Sequence, residues 1–314
     1  WLADIDEKGL GPAYGTAMAA LILETSRIRP PCRPGGDPPA WTVEKDGARV
    51  VVASAAPVLP EDLFLLDRVV TAHLPEYDRV LLYIDTRFLP QEVAHRAFLA
   101  EGEDLFESLP GRTAAEVRAA AEVCGVSRFL LKRMKPWAAL TTLAAGALRA
   151  EGVEEGWDAY EFVARQAGPI PRVSYLLKPS DLAAMLDSLP VDVQRNALHE
   201  FAADVATLPA LRARYAAAWR KGDPAEAERL VEQTLAAHPS LAVLHRVMVT
   251  ERNASMEAAI LKALDEKGAG DAFFMIDLLH LIGPDSVLMR LEQAGCSVEK
   301  IGEHRTSHAE HRTE

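Results

Sequence analysis

The runs at 50–53 (VVVA) and 273–276 (FFMI) are short, wholly apolar and of equal length, and they stand at opposite ends of the chain. Short runs that lack polar alternation suit strands buried on both faces, and such strands need helices over each face. Setting the two runs in one sheet brings the ends of the chain together and leaves the middle to pack around that sheet. The expected fold class is therefore α/β: one mixed β-sheet with helices packed around it and a large helical insertion in the middle of the chain.

The local signals agree. Lys45-Asp46-Gly47 separates two β-prone runs, and an Asp-Gly pair there signals a hairpin. Residues 60–74 set Leu63, Leu66, Val69 or Val70, and Leu74 on one helical stripe, and RVLLYID at 79–85 reads as a buried strand. Thr113, with Glu116 three residues on, is read as a capping box, and Gly125 ends that helix. A strand is expected at 172–176, helices at 179–188 and from 190 onward, then three more helical stretches before a strand at 272–278. A helix begun by Gly283-Pro284-Asp285 and a closing strand at 296–301 complete the order. Residues 1–40 are expected to be a Pro/Gly-rich leader or linker, 41–302 the α/β domain, and 303–314 a polar, disordered tail.

Composition narrows the partners. A net charge of −12 argues against nucleic acid, and the dense basic cluster Lys132, Arg133 and Lys135 is read as a solvated face. Cys32, Cys124 and Cys296 are far apart and lack C-x-x-C spacing, which argues against a disulfide framework or a zinc knuckle. Cys124 and Cys296 are expected to be small buried residues. No run reaches the ~18 apolar residues of a membrane span, so no transmembrane segment is expected. The apolar stretch at 17–23 follows acids rather than a basic start, so no clean signal peptide is visible.

Two patterns mimic known sites. His304, His308 and His311 would share one helical face, but a charged tail offers no rigid, packed support for a metal. Residues 212–245 resemble one tetratricopeptide unit, which cannot bury its own face, and no second copy follows. A helical hairpin packed on the domain is the better reading.

A longer pattern runs through most of the chain. It comprises Pro39-Ala40-Trp41, a hairpin strand ending VVVASAAPVLP, the strand LLYID, Lys135-Pro136-Trp137, Gly156-Trp157-Asp158, VSYLLKP, the Gly222-Asp223 turn, Glu251-Arg252-Asn253 and His280-Leu281-Ile282-Gly283. In this order, over about residues 39–301, it resembles the TraB/GumN family, relatives of the TIKI proteases. The resemblance implies an α/β domain, an extracytoplasmic (periplasmic or secreted) location and, in active members, a metal-dependent hydrolase. That chemistry is attributed to two Gly-x-x-His motifs plus glutamate, where imidazole and carboxylate hold a divalent ion that activates water.

Carried over residue by residue, the pattern departs at those positions. The first Gly-x-x-His falls on Ala53-Ser54-Ala55-Ala56, so Ala53 and Ala56 replace glycine and histidine. One glutamate falls on Tyr83 and another on Leu177. The second Gly-x-x-His falls on Asp277-Leu278-Leu279-His280 and keeps only its histidine. Alanine and leucine have no donor atom, and Tyr83 ligates only as a costly phenolate, given a reference pKa of about 10. His280 and Asp277 are two ligands, too few for a divalent ion, and strand alternation would set them on opposite faces. His280 is read as a hydrogen-bonded core histidine at a strand end. A Ser54–His280–Asp158 triad can be drawn, but it lacks a nucleophile elbow. Trp41, Lys135 to Trp137, Gly156, Asp158, Arg252, Asn253 and Gly283 survive as scaffold.

The expectation is a non-catalytic relative with no cofactor, whose repacked apolar cleft suits a peptide or a partner protein. The enzyme alternative needs Mn, Co or Zn on relocated ligands, with Asp158, Asp277, His280 and Asp85 as candidates. A third reading is a helical adaptor built on 179–267.

Overall fold

The computed structural model describes residues 38–55, 63–74, 77–86, 89–94, 96–151, 159–168, 172–266 and 271–301. Among these, β1 (Ala40–Lys45), β2 (Ala48–Ala55), β3 (Arg79–Ile84), β4 (Val173–Leu177), β5 (Ala272–Asp277) and β6 (Ser297–Lys300) join in one mixed sheet. Its order is β4-β3-β5-β2-β1-β6. The expected association of the two apolar runs is direct: β2 and β5 pair in parallel, with Val51 opposite Phe273 and Ala53 opposite Met275. β3 continues the parallel set against both β5 and β4, while β1 runs antiparallel to β2 and to β6.

Burial follows position in the sheet. In central β5 Ala272 to Ile276 are all fully buried, whereas edge β6 alternates exposed and half-buried residues. The β1–β2 hairpin turns through Asp46 at φ 51° and Gly47 at φ 81°, the left-handed pair that a two-residue hairpin of matching twist requires.

The helices cover the sheet and fill the middle of the chain. Leu63–His73 follows β2, and Pro179–Ser188 and Val191–Asp204 begin at proline-marked turns as expected. Thr113 does not cap its helix. The helix runs Gly111–Val123 from Pro110, and Thr113 is buried one turn inside it, because Pro110 already sets the extended entry. The last helix starts later than expected, at Val287–Gln293, where the Ser286 hydroxyl accepts from the Met289 N–H. Gly283, Pro284 and Asp285 form the turn before it.

The tetratricopeptide-like segment is a hairpin of Leu208–Arg220 and Pro224–Ala237, reversed at Gly222 and capped by Asp223 on the Glu226 N–H. It packs on the sheet through Trp219, which is wholly buried. Lys135 and the Trp137 indole both donate to Asp187 Oδ1, at 2.6 and 3.1 Å, so this motif ties two helices together. Lys132 pairs with Asp104, and Cys124 and Cys296 are buried. Residues 1–37, Cys32, Ala56, Gly156, Trp157, Asp158 and the tail with His304, His308 and His311 lie outside the described residues.

Candidate site at the carboxyl ends of the parallel strands

In an open parallel sheet the carboxyl ends of adjacent strands share one edge, and ligand sites form outside that edge. Four positions singled out in the sequence lie at or near that edge, and the register sets Ala53, Leu177 and Asp277 on one face of the sheet and Tyr83 on the other. Ala53 is third from the end of β2, Tyr83 next to last in β3, and Leu177 and Asp277 end β4 and β5. His280 follows three residues later.

The strand alternation expected to separate Asp277 from His280 stops at Asp277. Its carboxylate accepts the Leu279 N–H at 2.9 Å and starts a one-turn 3-10 helix, Leu278–His280. An aspartate that binds a backbone N–H two residues on ends a strand in this way. The turn carries the imidazole to the Tyr83 ring, 4.9 Å between centroids.

His280 is held from the other side. Its Nδ1 lies 2.8 Å from Asn253 Oδ1, and Asn253 Nδ2 donates to the Asp285 carbonyl at 2.8 Å. That second bond fixes which way the amide points, so Nδ1 of His280 is the protonated nitrogen. Sequence reasoning placed His280 as a hydrogen-bonded core histidine, and it is 2% exposed. The partner was within reach of the sequence too, since Asn253 stands in the Glu251-Arg252-Asn253 motif.

Arg252 and Asn253 reach this point through an irregularity with no sequence signature. Arg246–Thr250 is a π-helical turn leading into the helix Glu251–Asp265. A π turn changes the facing of the residues that follow and recurs at functional sites. Arg252 is 8% exposed, and its guanidinium carbon lies 5.1 Å from the Tyr83 ring centroid. Its Nη1 contacts the Met185 sulfur at 3.9 Å. Among the described residues no carboxylate is within ion-pair distance of it.

Burial sets the charges. It lowers the His280 pKa to about 3, helped by Arg252 and His245, against the pull of the Val249 carbonyl. It raises Tyr83 to about 12, with Arg252 acting in the opposite sense. It pushes Asp277 up to about 6, and with Asp277 it raises Tyr215. The Tyr215 hydroxyl is enclosed without a hydrogen-bond partner.

Ser54 and His280 of the drawn triad make no hydrogen bond with each other, and Asp158 lies outside the described residues. Ser54 Oγ accepts the Trp219 indole N–H at 3.1 Å rather than facing His280. Trp219 and Tyr215 were missed in the sequence, where they read as ordinary residues of an Ala-rich helix. A metal fares no better: Ala53 and Leu177 present carbon, and Tyr83, 4.9 Å from the His280 ring, holds its proton. No group of three or more metal-binding side chains occurs among the described residues. The donor chemistry described here does not fit a divalent ion. A separate open groove of about 550 Å3, lined by Trp41, Pro224, Gly283, Met289 and Lys300 among others, includes none of these residues.

The molecule is thus an α/β protein with a buried polar cluster at the carboxyl edge of its parallel strands. A model of the TraB/PrgY/gumN family matches residues 39–300, and the chain belongs to that family. No curated protein and no solved structure matches it. No helix of the described residues is long and apolar enough to cross a membrane.

Proposed function

We propose that this chain is a non-catalytic member of the TraB/PrgY/gumN family that binds a peptide or a partner protein at the strand-end site. The observation that carries the reading is Tyr83, which falls where the resemblance puts a glutamate, lies 4.9 Å from the ring of His280 and is held protonated by burial. A dication beside that histidine would meet a phenol that keeps its proton where a carboxylate is needed. Water activation requires a bound ion held open to substrate, and this arrangement disfavours one.

The test is turnover of peptide and ester substrates by the purified protein with Mn, Co or Zn added, together with metal content after chelator-free purification. No turnover above background and no stoichiometric metal is the expected result. Metal-dependent turnover abolished by His280→Ala would overturn the reading. Turnover that survives that substitution would instead favour relocated ligands.

A further inference from the structure

Arg252 is nearly buried and meets no anion among the described residues, yet its guanidinium is not sealed off, for none of its nitrogen atoms is both enclosed and without a partner. Buried ions are paired or neutralised, because desolvation without compensation is costly. Arg252 is 8% exposed, yet its recorded contacts are a thioether sulfur and the face of a phenol ring. Neither is an anion. Tyr215, which Asp277 influences electrostatically, also has an enclosed hydroxyl without a partner. A guanidinium that meets no anion inside the fold and keeps nitrogen atoms open to the outside is placed to take its partner from outside.

We propose that Arg252 is the anchor of a carboxylate-binding site, which receives a carboxylate of the bound peptide or protein through its guanidinium fork. The proposal rests on the binding reading above and names the chemistry that reading leaves open. A planar guanidinium matches a carboxylate with two parallel hydrogen bonds, and the Tyr83 face, 5.1 Å away, flanks the fork. Charge count favours a monoanion over a phosphate dianion. Arg252 is the fixed cation of the cluster, His280 and Tyr83 are neutral, and Asp277 lies on the same strand edge.

The experiment uses the full chain and three probes: a pool of N-acetylated tripeptides without acidic residues and with free C-termini, an amidated pool containing glutamate, and inorganic phosphate. Thermal midpoints are followed as each probe is titrated. A rise with either carboxylate pool supports the proposal, and which pool acts distinguishes a chain terminus from an acidic side chain. Arg252→Gln should weaken that binding at least about tenfold, the loss expected for hydrogen bonds to a charged group. No rise with either pool, a larger rise with phosphate, or a rise unchanged in Arg252→Gln overturns it.

A second variant keeps the proposal falsifiable whatever the ligand. Arg252→Met fills similar volume without a charge, so a guanidinium kept for binding predicts a melting temperature equal to or above that of the wild type. A melting temperature several degrees lower would show that Arg252 is structural, and the proposal fails. Hydrolysis of a bound probe would instead refute the non-catalytic reading and leave the carboxylate anchor standing.

Discussion

Ser54 Oγ accepts the indole N–H of Trp219 at 3.1 Å, joining the end of a central strand to a helix 165 residues later. Both residues are buried, Ser54 at 1% and Trp219 at 0% exposure. Ser54→Ala leaves the indole donor enclosed without an acceptor, which costs about 1–3 kcal/mol. Trp219→Phe removes the donor and some packing. Because both polar groups are then gone, the double variant is expected to be less destabilised than the sum of the singles, by about 1 kcal/mol. Urea midpoints of the four proteins measure this. Strict additivity would mean the hydrogen bond contributes nothing.

The buried pair on either side of the 3-10 turn should leave a pH signature. Asp277 is pushed up to about 6 in the fold from 3.8, so its stabilising effect is full below the lower value and is lost as pH rises through 6. His280 is depressed to about 3 from 6.5, so its effect is present above 6.5 and is lost as pH falls toward 3. Between these limits the slopes oppose. Asp277→Asn should make stability climb more steeply with pH between about 4 and 6, and His280→Gln should flatten or invert the slope. Denaturant melts across that range measure both. Parallel curves for all three proteins would refute the assigned shifts.

Gly146 sits inside the helix Pro136–Ala150 for want of space. A Cβ there would meet Val126 Cγ2 at 2.5 Å, the Cys124 backbone oxygen at 2.6 Å and Cys124 Cβ at 2.9 Å. Gly146→Ala gains about 1 kcal/mol of helix propensity but pushes against backbone, and overpacking of that kind costs about 1–3 kcal/mol. A net loss of about 1 kcal/mol is expected from chemical denaturation. A stabilised variant would show that the 124–126 turn yields freely.

Restoring the family's motif tests the residue assignments. Ala53→Gly, Ala56→His, Tyr83→Glu and Asp277→Gly together should build a metal pocket around His280, and the single changes should not. Selective binding to the folded state adds about 2.7 kcal/mol at a hundredfold excess over Kd, a rise of a few degrees in melting temperature. Wild type and quadruple variant are compared with and without Mn. A folded variant with no shift would mean the four positions do not converge. An equal shift in the wild type would mean the site was never lost.

Local chemistry was enough to place β1 to β6, the Asp46-Gly47 turn and the Pro179–Ser188 helix, because apolar runs, turn residues and proline act over a few residues. The joining of β2 with β5 was legible too, since strands this apolar have nowhere to go except the centre of one sheet. The site was legible only as positions. Period-two alternation put Asp277 and His280 on opposite faces, but the alternation holds only while the strand does, and the Asp277 side chain ends it. Trp219 on Ser54, and Arg252 on Tyr83 through a π turn, depend on how distant helices settle against the sheet. That docking is decided by packing over the whole core, which no local spacing encodes, and it alone sets an unpaired arginine beside the one remaining histidine.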